Sequence, residues 1–397
     1  MQHRIVVLGA GYSGAIAAGR LAKRLHRDEV AITLVNAEPD FVERVRMHQV
    51  ATGQTLKHRP FREMFAGSGV DLKIAKVTNV DVDRRTVSVT GSSGVETLSY
   101  DTLVYALGSG WNAQGVPGTT EFAEELASRP GALRLRQRLT ALGAGQPVAV
   151  VGGGLTSVEA VTEIAEARPD LDISLVVRGA LGDWLSAKGQ GHLRKVLGKL
   201  GITVHEHAQV TQVAADTVAT ADGRSIPAAV TVWTAGFAVH PIAAASTLDV
   251  TETGQIVVDD TMRSVSHPDV YAVGDAAYAM GVGGKPLRMS CASGSPMAWQ
   301  AADSIAARLT GGKMPHAPLK YFNQCISLGR KEGLIQYVTG DDRSVNAVLT
   351  GRIAAVYKEL ICKGAAWGVA NPMLGMPTRR RRLVHEAISD SLAEALA

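Results

Sequence analysis

The sequence predicts an α/β protein built from two similar units. Two observations carry this. Apolar runs of strand length recur along the chain: "RIVVLGA", "VAITLVN", "YDTLVYALGS", "PVAVVGGG", "LDISLVVRG", "AAVTVWTAGF" and "PDVYAVGDAA". Helical stretches separate several of them, the pattern of parallel sheets covered by helices. The second observation is that strand, glycine turn and helix succeed one another twice, at Val6–Ala15 ("VVLGAGYSGA") and at Val150–Ala160 ("VVGGGLTSVEA").

The first unit opens with "RIVVLGA", a buried-strand run, and a helix from about Ser13 to His26. Between them Gly9, Gly11 and Gly14 make GxGxxG. Gly9 permits the tight turn, Gly11 lets the backbone approach a pyrophosphate, and Gly14 lets helix pack on strand. The helix N-terminus then offers free N–H groups and a positive dipole end to phosphate. Strand, turn, helix and a second strand stand in the required order, so the motif is specific here. An acid usually ends that second strand and holds the ribose hydroxyls. This chain has Asn36 there, which can still hydrogen-bond a hydroxyl without charge assistance, with Glu38 two residues on, either as the replacement acid or as a solvated turn residue.

The loop "GWNAQGVPGTT" (Gly110–Thr120) leads to the second glycine turn, and "GFAVHP" (Gly236–Pro241) leads away from it. Gly152 and Gly154 stand where backbone must approach phosphate, and Ser157 replaces the third glycine. "VYAVGDAA" then reads as a return to the first unit, with Gly274 and Asp275 just beyond a strand. A carboxylate there can accept hydrogen bonds from a sugar-alcohol chain. The expected organisation is two Rossmann-like dinucleotide-binding domains, the second inserted in the first. Residues 1–110 and 241–319 form the first, 111–240 the second, and 320–397 a C-terminal α+β domain.

Further on, "SPMAWQAADSIAARL" predicts a helix from Pro296 to Leu309, with Ser295 as N-cap and proline at the first helical position. "KYFNQCISLGRKEGLIQYVTGDD" reads as hairpin strands about a Gly-Arg-Lys-Glu-Gly turn. His205 and His207 alternate along a strand. "TRRRR" (Thr378–Arg382) precedes an amphipathic helix from Leu383, suited to packing or a dimer contact. The apolar "KGAAWGVANPMLGMP" (Lys363–Pro377) suits membrane, quinone or a partner subunit.

Composition narrows the function. Hydrophobic residues are 46%, charged residues 20%, and the net charge is only +4, which gives no argument for nucleic acid. Cys291, Cys325 and Cys362 show neither CxxC nor metal-ligand spacing, so no metal site is expected. The chain enters a strand almost at its first residue, and no run reaches the ~18 apolar residues that span a bilayer. A cytoplasmic protein is expected, with membrane contact at most peripheral at the inner face.

With these motifs in this order, the first 310 or so residues resemble the pyridine nucleotide–disulfide oxidoreductase superfamily. The likeness is greatest to the type II NADH dehydrogenase and apoptosis-inducing-factor-like branch. The resemblance implies FAD at the first turn, held by Gly9, Gly11, Tyr12 and Gly14. Asp275 would hold the ribityl chain, with Gly274 beside it, and Ala106 and Gly108 would lie near the flavin. Val77 would contact the adenine through its backbone. The helix at Pro296 would aim its N-terminus at the flavin. Arg46, with Arg44 and His48, would reach the FAD or the site mouth, unless solvated. Gly152 and Gly154 would receive NADPH or NADH, and Glu159 would contact its nicotinamide side. Arg178 stands where NAD-specific proteins have an acid, and it can pair with a 2'-phosphate. Trp299 lines an acceptor site or fills the core. The implied activity is FAD-dependent NAD(P)H oxidation with a quinone or similar small molecule as acceptor and no redox disulfide. The alternatives are a flavin oxidoreductase of a specialised small molecule, with the nicotinamide site vestigial, and a flavin-bound redox sensor.

Overall fold

The apolar runs assemble into two sheets in the computed structural model, which describes residues 1–384. In the first sheet the strand order is Val270–Ala272, Thr102–Tyr105, His3–Leu8, Val30–Asn36, Val70–Asp81, Thr86–Gly91, Gly94–Ser99. The first five strands run parallel, and the last two continue the sheet as antiparallel hairpins. Ile5 to Leu8 are all buried, which requires cover on both faces and explains the unbroken apolar run. The second sheet has the order Thr203–His205, Asp172–Val176, Pro147–Val151, Val230–Trp233, Ala123–Glu125, and every pair is parallel.

The second unit is inserted in the first. The chain passes out through Ser109–Trp111 and returns through Phe237–Val239, and these segments pair antiparallel, Trp111 with Phe237 and Ser109 with Val239. Val270–Ala272 then joins the first sheet beside Thr102–Tyr105. The hairpins predicted beyond Lys320 form a meander of Asn323–Ser327, Gly333–Val338 and Ser344–Thr350.

Five helices position the functional residues: α1 (Tyr12–Arg24), α2 (Leu155–Ala167), α3 (Ala187–Lys199), α4 (Cys291–Thr310) and α5 (Gly351–Ala370). Helices α1 and α4 lie side by side. Arg20 fastens them, donating to both carboxylate oxygens of Asp303 at 2.6 and 2.7 Å and to the Pro372 carbonyl at 2.9 Å. The bidentate geometry suits a nearly buried guanidinium.

Two local expectations need correction. Helix α4 begins at Cys291, not Pro296, and Ser290 is its N-cap residue. The Ser290 and Ser293 hydroxyls meet at 2.9 Å and Gly294 N donates to the Ser290 carbonyl, so the helix is already running when it reaches proline. Pro296 stands in the second turn, where its ring removes one intrahelical donor. His207 does not share a strand face with His205. The strand ends at His205, and His207 turns with φ +53°. The "TRRRR" run is laid along the end of α1: Arg380 donates to the Ala22 carbonyl, Arg381 exchanges backbone bonds with Arg24 and His26, and Arg382 pairs with Glu29. The helix expected from Leu383 lies, beyond Val384, outside the described residues.

Candidate active site

The first glycine turn is built by close backbone approach. A Cβ on Gly14 would fall 1.9 Å from the Gly9 carbonyl, and one on Gly9 would fall 2.4 Å from the Ala106 carbonyl. Gly9 itself has φ +89°. Gly11 is different. It is the N-cap residue of α1, makes no side-chain cap, and has no atom within 4 Å of the place a Cβ would take. Uncapped N–H groups therefore face open space where phosphate would sit. Next to it, the Tyr12 ring packs edge-on against Phe41 at 5.0 Å. The Tyr12 hydroxyl is buried and has no hydrogen-bond partner among the described residues. That orphaned polar atom and the open cradle at Gly11 fit a bound dinucleotide.

The chain's other FAD candidates lie around this turn. Asn36 is used structurally: its Oδ1 accepts from Ala10 N at 2.9 Å, and its Nδ2 donates to the Glu38 carbonyl. The Glu38 side chain is exposed. Val77 is buried on the strand next to that of Asn36. Ser109, just after Gly108, donates to Asp275 Oδ2 at 2.6 Å, and Gln255 Nε2 donates to the Asp275 carbonyl at 3.0 Å. Arg44 bonds the Ser109 carbonyl and stands 3.7 Å from Asp275. Arg46 points elsewhere. Glu43, Gln49 and Glu359 of α5 occupy its guanidinium, so Arg44 is the arginine that reaches this carboxylate.

The second turn repeats the geometry. Gly154 is the N-cap residue of α2, is uncapped by any side chain, and is open for 4 Å around its Cβ position. Ser157 is completely buried, and its hydroxyl meets Thr234 Oγ1 at 2.8 Å, while Thr234 donates to the Val151 carbonyl. The serine thus ties turn to strand where glycine would only allow contact. A cavity of about 510 Å³ opens at Gly154, with Trp184 on one side and Arg288 and Gln324 on the other. Its size suits an organic ligand. Replacing Gly154 with valine should leave the flavin bound, and dithionite should still reduce it. Reduction by NADH should be lost, as anaerobic titration would show.

The start of α4 joins the two turns. Gly294 packs so closely on α1 that a Cβ there would lie 2.5 Å from Ser13 Oγ, and a Cβ on Gly274 would lie 2.7 Å from the same atom. Arg288, two residues before the N-cap, lines the cavity at Gly154. Residues 288–294 therefore run from the first turn to the cavity that opens at the second.

Glu159 lies in a buried polar knot. Its Oε1 accepts from Lys358 Nζ at 2.9 Å, Ser327 N at 3.0 Å and Ser327 Oγ at 3.1 Å. His48 Nδ1 stands 4.0 Å from the other oxygen, and His48 Nε2 is 3.4 Å from Ser327 Oγ. Burial alone would raise the Glu159 carboxyl. Lys358, His48 and the Ser327 N–H outweigh it and hold the group below its usual value. Burial would likewise lower Lys358, but Glu159 holds it above its usual value. Burial lowers His48 and keeps its ring neutral. The knot ties α2, the meander and α5 together, and reasoning on sequence missed Lys358 and Ser327. Lys358 carries no local signal, since only the fold brings it to Glu159.

These shifts predict an acid limb in stability. The folded His48 pKa lies below 6.5 and the folded Glu159 pKa below 4.5, so in both cases the unfolded chain binds the proton first as pH falls. Denaturation midpoints should therefore drop from pH 6.5 downward and again below 4.5. His48→Gln should reduce the first decline, which His3, His205 and His240 share because burial lowers them too, and should keep the second.

The thiols are buried or partly buried. All three cysteines are free, and burial pushes Cys325 and Cys362 up to about 11, leaving them protonated and weakly nucleophilic at neutral pH. Trp299 is partly buried against the first core, as a packing residue.

Residues 3–306 match the family of pyridine nucleotide-disulphide oxidoreductases. The chain belongs to this family. A NADH dehydrogenase-like protein of Mycobacterium tuberculosis is 28% identical over 370 residues, covering 86% of this chain and 89% of that protein. A type II NADH:quinone oxidoreductase of the same organism is 28% identical over 367 residues, covering 81% and 76%. Among solved structures, NDH2 from Plasmodium falciparum in complex with NADH superposes with a TM-score of 0.78 at 14% identity, covering 94% of this chain and 97% of that one. The fold is thus that of a two-nucleotide flavoprotein.

Proposed function

We propose that this chain is an FAD-dependent NADH:quinone oxidoreductase. The observation that carries the reading is the α4 start, where Gly294 packs on Ser13 of the first turn and Arg288 lines the cavity that opens at Gly154, so one short segment runs from one turn to the cavity of the other. The names of the relatives support it. FAD held at the Gly11 turn would supply the two-electron chemistry that links NADH oxidation to quinone reduction.

The chain's own residues do the rest. Gly11 and Gly154 present uncapped helix N-termini to two pyrophosphates. Asp275, oriented by Ser109 and Arg44, offers its other oxygen to the hydroxyls of the ribityl chain. The α4 dipole favours negative charge at its N-terminus. Hydride transfer needs alignment and exclusion of water rather than a strong acid, so Glu159 is assigned no role in it.

Helix α5, which carries Lys358, also supplies the surface for an apolar acceptor. Ile353, Leu360 and Trp367 lie on its outer side with exposures of 70, 62 and 48%, and Leu374 and Met376 extend the patch. Among the described residues no helix is long and apolar enough to cross a membrane. A helix with buried polar contacts on one side and an exposed apolar stripe on the other suits peripheral contact with a lipid surface, from which a quinone can reach the site. Steady NADH oxidation by the purified flavoprotein with a short-chain soluble quinone, measured without oxygen, tests the assignment. Turnover stoichiometric with quinol supports it. NADH oxidation only in the presence of oxygen would contradict it.

A further inference from the structure

The second nucleotide site has an arginine, Arg178, where an acid usually holds the ribose 2'-hydroxyl. That position suggests a 2'-phosphate ligand, yet the local geometry suggests the opposite. Arg178 and Asp183 are both exposed, but of the two only Asp183 lines the cavity at Gly154. The loop after the strand Asp172–Val176 folds back on itself and returns Asp183 to the strand end. A Cβ placed on Gly179 would stand 3.1 Å from Asp183 Oδ2, so the carboxylate rests on the residue next to Arg178, where glycine leaves room for it.

The loop is pinned on every side. His207 N donates to the Gly179 carbonyl at 3.0 Å, and Leu181 N donates to Glu206 Oε1 at 2.6 Å. Trp184 Nε1 donates to the Gly153 carbonyl at 3.0 Å, which fixes the residue adjoining Asp183 to the glycine turn itself. Ser186, the N-cap residue of α3, accepts from Gly189 N and donates to Gln336 Oε1. Asp183 is thus placed by its neighbours, with its own carboxylate directed to the strand end beside the turn.

We propose that Asp183 is the acceptor for the ribose hydroxyls of the visiting dinucleotide, and that it makes the site select NADH over NADPH. This rests on the function proposed above. A carboxylate at this place accepts a hydrogen bond from a 2'-hydroxyl and repels a 2'-phosphate, so one group both attracts one nucleotide and rejects the other. Arg178 lies outside the pocket and does not compensate.

The test is kcat/KM for NADH and NADPH in the wild type, Asp183→Asn, Asp183→Ala and Arg178→Ala, with flavin content and far-UV circular dichroism as checks on folding. The wild type should favour NADH by at least about 10-fold, the scale of one charge-assisted hydrogen bond. Both Asp183 variants should lose that preference through a higher KM for NADH and a lower one for NADPH. Arg178→Ala should keep the wild-type ratio. A wild type that favours NADPH overturns the proposal, as does an unchanged ratio in folded, flavin-loaded Asp183 variants. Failure of both nucleotides to reduce the wild-type flavin would overturn the oxidoreductase reading and the proposal with it. A reducible wild type with unchanged variants would overturn Asp183 alone.

Discussion

Gly11→Val should fold like the wild type and purify without flavin. Gly11 has φ −64° and ψ −170°, ordinary extended backbone, and nothing within 4 Å of its Cβ position, so the apoprotein has room for valine. The space that valine fills is the one a pyrophosphate needs. Losing two charge-assisted bonds to phosphate costs roughly 3–6 kcal/mol, or about 10²- to 10⁴-fold in FAD affinity. Isothermal titration of deflavinated protein measures this, and the thermal midpoint of the apoprotein should match that of the deflavinated wild type. Gly14→Val should behave differently. Its Cβ would meet the Gly9 carbonyl at 1.9 Å, so the turn itself must open and the apoprotein should be destabilised too. Equal flavin binding by Gly11→Val and the wild type would remove this turn from the FAD site.

Lys358→Met should be the most destabilising single substitution among the charged residues discussed. The Lys358 and Glu159 side chains are only 14% and 6% exposed, and they meet at 2.9 Å. Removing one partner leaves a buried carboxylate without its counter-charge, a loss of about 3–5 kcal/mol. Pairing Lys358→Met with Glu159→Leu should recover much of that loss, because the uncompensated charge goes too. Urea unfolding of the two single variants and the double variant measures the coupling. Strictly additive losses would mean that the pair is not coupled in the way its geometry requires.

Much of the fold was legible because its signals are local. Continuous apolar runs marked the central strands, and "VVLGAGYSGA" and "VVGGGLTSVEA" marked two nucleotide turns through residues whose backbone geometry demands glycine. The insertion was legible for the same reason, since "VYAVGDAA" carries a strand and a glycine that belong with the first sheet. The start of α4 was misplaced because Ser295-Pro296 imitates a helix start, while the real one rests on Ser290 and Ser293, which the surrounding fold selects.

The site was less legible where distant residues pair. Asn36 looked like a ribose ligand, yet its side chain is spent on Ala10 and Glu38. Arg46 looked like a flavin residue, but helix α5 supplies it with Glu359. Glu159 looked like a nicotinamide contact, but Lys358 and Ser327 enclose it. In each case the residue type was right for binding a nucleotide, and a partner brought in by the fold claims it first. Asp183 shows the converse, a carboxylate with no motif that a folded loop returns to the strand end.

On the proposed mechanism electrons enter from NADH at the Gly154 turn and leave to a quinone. Anaerobic stopped-flow reduction, with a second mix of soluble quinone, tests it most directly. Stoichiometric NADH should bleach the flavin within milliseconds to seconds, and quinone alone should restore its colour. A flavin that NADH does not bleach, or that stays bleached until oxygen is admitted, would contradict it.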